Sequence, residues 1–159
     1  MKHDRSGTMI KIPAKRLWIV PLDCCGLLLH AIQALAGDSY MVVEGEFEPS
    51  CFQEIEKLIA LKITSETPRE SRGSRAISAF SLTPEVALPL SQNVFREAEL
   101  KNNFEAIQIV RKGVVQFISG DYFHPECVSV GSDISSSLLA DWVQLGLTSG
   151  PLRRKMSSN

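Results

Sequence analysis

The sequence reads as an α+β (mixed α/β) fold, a central mixed sheet of about five or six strands with about four helices packed on it. Three observations point there. Short β-branched runs alternate with apolar residues at helical spacing through the first half of the chain. Lys112-Gly113 sits between two apolar runs in the C-terminal half, which is the pattern of an antiparallel hairpin. A chain of 159 residues at 44% hydrophobic is long enough for residues 1–159 to form a single domain around one core, without a metal or disulfides.

Each element has its own signal. Leu17-Trp18-Ile19-Val20, bounded by Pro13 and Pro21, suits a buried strand. Asp23 is placed to cap a helix whose Leu27, Leu28, Ala31, Ile32 and Leu35 share one face, and Gly37 falls where a helix C′ glycine belongs. Tyr40 to Val43 is the next strand, running on through Glu44 to Glu48, and Pro49 opens a helix with Phe52, Ile55, Leu58 and Ile59 inward. Residues 64–75, with no aliphatic or aromatic residue to anchor them, form a long surface loop. Ala79 to Leu82 is a strand, and Thr83-Pro84 starts a helix that continues to about Lys101, with Pro89 delaying its start. Ile107 to Val110 and Val114 to Ser119 form the hairpin, Val128 to Val130 a short strand, and Ser135 opens the last helix with Leu138, Leu139, Trp142 and Val143 inward. Residues 1–9 and 151–159 are polar and are expected to be flexible tails.

Seventeen basic against eighteen acidic residues leave a net charge of −1, which speaks against a strongly basic nucleic-acid binder; Arg69, Arg72 and Arg75 have no interleaved aromatics and fit a solvated loop. No apolar run reaches the ~18 residues of a membrane span, and the N-terminus is not followed by the apolar stretch of an export signal, so a cytoplasmic protein is expected. The charge is nevertheless blocked. Residues 38–60 hold six acids against one lysine, and residues 121–150 hold four acids and no Lys or Arg. Glu44, Glu46 and Glu48 are spaced by two, so a strand running to Glu48 projects all three from one face. Like charges on one face repel, which makes an acidic contact patch formed by Glu44, Glu46 and Glu48 with Asp121 and Glu126 the leading candidate site.

Asp121 to Cys127 also places an acid, an imidazole and a thiol within seven residues. His124 and Cys127 make an alternative reactive site, in which a thiolate is the nucleophile of a small enzyme. The doublet Cys24-Cys25 is a second thiol candidate for such an enzyme. No metal site or cofactor is expected, because Pro125 favours an extended geometry between His124 and Cys127 and no second ligand pair exists. Nucleotide, zinc-protease and hydrolase motifs are missing from the sequence. Trp18 and Trp142 read as core residues.

Tyr40-Met41-Val42-Val43-Glu44-Gly45 leading into a Pro-started helix, and Ile107 to Gly146 with its hairpin, Asp121-Tyr122-Phe123, Val128-Ser129-Val130 and closing Trp142 helix, resemble small bacterial immunity-type proteins of polymorphic toxin systems. The resemblance spans about half the chain. It implies a cytosolic, non-catalytic inhibitor that binds a toxin domain through a charged surface. The expected partner is a protein with a basic surface, with no direct nucleic-acid or membrane contact; a self-associating structural or regulatory subunit, such as a homodimer, is the remaining alternative.

Overall fold

The computed structural model describes residues 15–59, 64–66 and 75–152. The expected tail at 1–9, the tail from 153 onward and the interior of the 64–75 loop lie outside them. In chain order the elements are β1 (Leu17–Pro21), α1 (Cys24–Leu35), β2 (Ser39–Glu46), α2 (Gln53–Ile59), β3 (Thr64–Glu66), β4 (Arg75–Leu82), α3 (Ala87–Asn93), α4 (Glu97–Asn102), β5 (Phe104–Arg111), β6 (Val114–Ser119), β7 (Val128–Val130), α5 (Ser136–Gln144) and β8 (Thr148–Leu152). No helix among the described residues is long and apolar enough to cross a membrane.

Local chemistry places the boundaries. Asp23 caps α1, its Oδ1 accepting from Gly26 N at 2.9 Å, and Ser135 caps α5, its Oγ accepting from Leu138 N at 3.2 Å. Past α1, Gly37 at φ +94° turns the chain and donates its N–H to Leu82 O at 3.0 Å. Lys112 (φ 51°) and Gly113 (φ 75°) both lie in the left-handed region that a two-residue hairpin demands. The helix expected from Thr83 to about Lys101 is two helices. Pro89 is tolerated in the first turn of α3, where its missing N–H would have no intrahelical partner. Buried Phe95 then ends α3 by donating its N–H to Leu90 O at 2.8 Å, and α4 begins two residues later.

All eight strands among the described residues join one sheet in the order β3-β4-β2-β5-β6-β7-β1-β8, and every described pairing is antiparallel. The fold is α+β as expected, but the sheet is antiparallel rather than mixed. Strands joined through helices do run in the same direction; they are simply not neighbours. β4 and β5, linked by α3 and α4, flank β2, which runs opposite to both, as in a split βαβ unit. β1 and β2, linked by α1, are separated by β5, β6 and β7. Two edge strands were not expected. β3 forms from the first residues of the predicted loop and pairs Thr64 with Ala79, and β8 forms from residues 148–150 together with the first two residues of the expected tail and pairs with β1.

Along β2 and β4 alternate residues point to one continuous core: Met41, Val43, Ala76, Phe80 and Leu82 belong to the same buried cluster as Leu27, Leu28, Ala31, Ile32 and Leu35 of α1 and Leu139 and Trp142 of α5. Phe47, Phe52, Phe80, Phe95 and Phe104 form a chain of ring contacts with centroids 5.0–6.4 Å apart beneath the C-terminal end of β2. On α5, Val143 faces outward at 41% exposure rather than inward. The opposite sheet face carries half-buried Tyr40, Val42 and Ile118, and it is the face from which Glu44 and Arg75 project.

Candidate functional site

The candidate site forms where β2 ends. Gly45 lies opposite Phe104 while Glu44 lies opposite Ala106, so Glu105 is an extra residue in β5. Only glycine permits this. A Cβ at Gly45 would sit 2.0 Å from Asn103 O, the carbonyl that accepts from Glu46 N at 2.9 Å. The bulge brings Glu105 beside Glu44, and Arg75 of the neighbouring β4 spans them, donating to Glu44 Oε1 at 2.8 Å and ion-pairing with Glu105. Hydrogen bonds to Glu105 and Glu44 raise the pKa of Arg75 above its ordinary value, so it stays charged.

The other predicted patch members are distributed differently. Glu46 is paired in register with Arg75 yet makes no ion pair with it. Glu48 does not belong to the strand face: β2 stops at Glu46, and Glu48 instead precedes a 3-10 turn at Pro49–Phe52. Asp121 joins the corner through the loop after β6. There Tyr122 N donates to Glu105 O at 3.1 Å, and the Tyr122 phenol is pushed above its usual pKa first by burial and then by Glu46, Glu105 and Asp121, against an opposing effect of Arg75. Glu126 is exposed on the same loop. Among the described residues, Glu46, Glu48, Asp121 and Glu126 have no ion-pair partner. Arg75, expected in a solvated loop, is instead the cation of this corner.

The loop from Asp121 to Cys127 is tied down. Asp121, Tyr122 and Phe123 occupy three successive left-handed conformations (φ 48°, 55° and 61°), a geometry that non-glycine residues rarely sustain. It is held by Gly120 N to Cys127 O at 2.9 Å, Cys127 N to His124 O at 2.9 Å, and by Phe123, which is 3% exposed with its ring centroid 6.3 Å from that of Phe117. This curl overturns the expectation that Pro125 separates His124 from Cys127. One ligand atom from each of Asp121, His124 and Cys127 lies within 4.8 Å of the others. His124 Nδ1 accepts one bond, from Glu126 N at 3.2 Å, which competes with a role as general base on the Cys127 thiol.

The other thiols are poor nucleophiles. Burial, chiefly, raises the pKa of Cys24 and Cys25, with nearby Asp23 and Glu97 adding to it, and burial pushes Cys51 up to about 11. Glu105 is the member of this corner that the sequence did not single out. The signal for it was Gly45 inside a strand pattern, which marks a bulge or a close backbone approach. No protein-family model matches the chain, and no curated protein or solved structure matches it either.

Proposed function

We propose that the protein is a non-catalytic binding module, a cytosolic inhibitor of the immunity type, that docks a partner with a basic surface on the corner formed by Glu46, Asp121 and Glu126. The observation that supports this reading is the imbalance at that corner. Arg75 is already committed to Glu44 and Glu105, which leaves Glu46, Asp121 and Glu126 without a cation among the described residues. A solvated surface gains nothing from uncompensated charge concentrated in this way, whereas a docking surface uses it to steer and orient a basic partner. The loop that carries Asp121 and Glu126 is held by its own hydrogen bonds and by Phe123, so docking would cost little ordering.

The triple variant Glu46→Lys, Asp121→Lys, Glu126→Lys tests the reading. All three side chains are exposed, so the fold should persist. Immobilised wild type should retain a basic protein from a soluble extract of the source cells, and the variant should not. The association rate with that partner, measured at low salt, should fall by on the order of 10-fold or more in the variant. Equal retention and equal rates for both proteins would overturn the proposal.

A further inference from the structure

Beyond the proposed docking role, we infer that Asp121, His124 and Cys127 form a site for a divalent zinc-like cation. The donor set selects the metal: one carboxylate oxygen, one imidazole nitrogen and one thiolate suit Zn²⁺ better than Mg²⁺ or Ca²⁺, which take oxygen, or Cu⁺, which takes soft sulfur. The spacing also fits. Tetrahedral bonds of 2.0–2.3 Å put ligand atoms about 3.3–3.8 Å apart, and here the three atoms already lie within 4.8 Å of one another. Asp121 and His124 are exposed, which leaves their side chains room to turn toward Cys127.

The backbone is already in place. Gly120 N to Cys127 O, Cys127 N to His124 O, and Tyr122 N to Glu105 O hold the curl, while Phe123 anchors it in the core. The ordering cost that a free seven-residue loop would incur on binding a metal is therefore largely met in advance. The competing interaction is weak: His124 Nδ1 accepts a single 3.2 Å bond from Glu126 N. Glu46 and Glu126, which have no ion-pair partner among the described residues, add negative charge around the loop, which favours a cation there. Binding takes Cys127 as thiolate and releases its proton to solvent. Three protein ligands leave a fourth position open for water.

Cobalt(II) titration of the full chain tests this without any partner protein. Wild type, and a Cys24→Ser, Cys25→Ser, Cys51→Ser variant that keeps Cys127, should bind one equivalent with a thiolate-to-cobalt charge-transfer band that Zn²⁺ bleaches. Cys127→Ser should abolish the band, and His124→Ala and Asp121→Asn should each weaken binding by on the order of 100-fold. Glu46→Lys should leave the band in place, which separates this site from the docking proposal. A wild-type spectrum without the band would overturn the inference, as would a band that persists in Cys127→Ser or is untouched by both His124→Ala and Asp121→Asn.

Discussion

Two arginines on the same sheet are held in opposite ways. Arg16 is half-buried and meets only neutral acceptors: its Nε donates to Ser129 Oγ at 2.7 Å and its other nitrogens to Val115 O at 2.7 Å and Ser129 O at 3.1 Å. Burial lowers its pKa. Arg75 stands between Glu105 and Glu44 at a more open edge, and its pKa is raised. Arg16 thus acts as a fastener that links β1, through Ser129, to β7 and β6, next to Val110 and Val115, which are buried outside the continuous core. Arg75 acts as a counter-ion that cancels part of an acidic corner. The same side chain stabilises by hydrogen bonds in one place and shapes surface charge in the other, and substitution should separate the two roles.

The largest effect should come from removing the geometry under Arg75. Gly45→Ala forces a Cβ against Asn103 O, a backbone atom that cannot rotate away, so the bulge must open. We expect a loss on the order of 3 kcal/mol in denaturant unfolding, together with loss of Glu105 from the Arg75 site. Next, Arg16→Met should cost about 2–3 kcal/mol, because it leaves the Ser129 and Val115 acceptors without their donor, and the cost should change little with salt. Arg75→Met should cost within about 1 kcal/mol and should be salt-sensitive, since the pair is partly exposed. Similar costs and similar salt dependence for both variants would dissolve the distinction.

A smaller effect is expected at Cys51. Its pKa in the folded chain is raised from 9.0 to about 11, so the folded state holds its proton more tightly than the unfolded state does. The sign follows: this stability is present below pH 9.0 and is lost as pH rises toward about 11. Cys51→Ala should flatten the decline in unfolding free energy across that window. At neutral pH, Cys24, Cys25 and Cys51 should alkylate slowly in the folded protein, and rapid labelling of any of them would contradict the raised pKa values.

Much of this architecture was legible in local chemistry. Asp23, Gly37, Gly113 and Ser135 mark boundaries because capping and turn geometry depend on a few adjacent residues, and β7 was readable from Val128 to Val130 alone. Pairing partners were not legible. The alternation of strands with helices suggested parallel pairing and a mixed sheet; β4 and β5 do run in the same direction, but nothing local tells that β2 comes between them and makes every described pairing antiparallel. Edge strands were missed for a related reason: β3 and β8 pair on one side or with short partners and need no long apolar run. At the candidate site, Glu44, Glu46, Glu48, Asp121 and Glu126 were singled out by charge counting, and Glu48 lies off the strand face. The convergence of Glu44, Glu46 and Asp121 with Glu105 and Arg75 depends on the Gly45 bulge, and the closeness of Asp121, His124 and Cys127 depends on three left-handed residues in a row, of which only Asp121 is a type that takes that conformation readily.

The measurement that tests the account most directly is the salt dependence of partner association for wild type and for the Glu46→Lys, Asp121→Lys, Glu126→Lys variant. Wild type should associate fast at low ionic strength and slow steeply as salt is added, while the variant should be slow throughout with a shallow or inverted dependence. Identical rates and identical salt slopes for the two proteins would contradict an acidic docking corner.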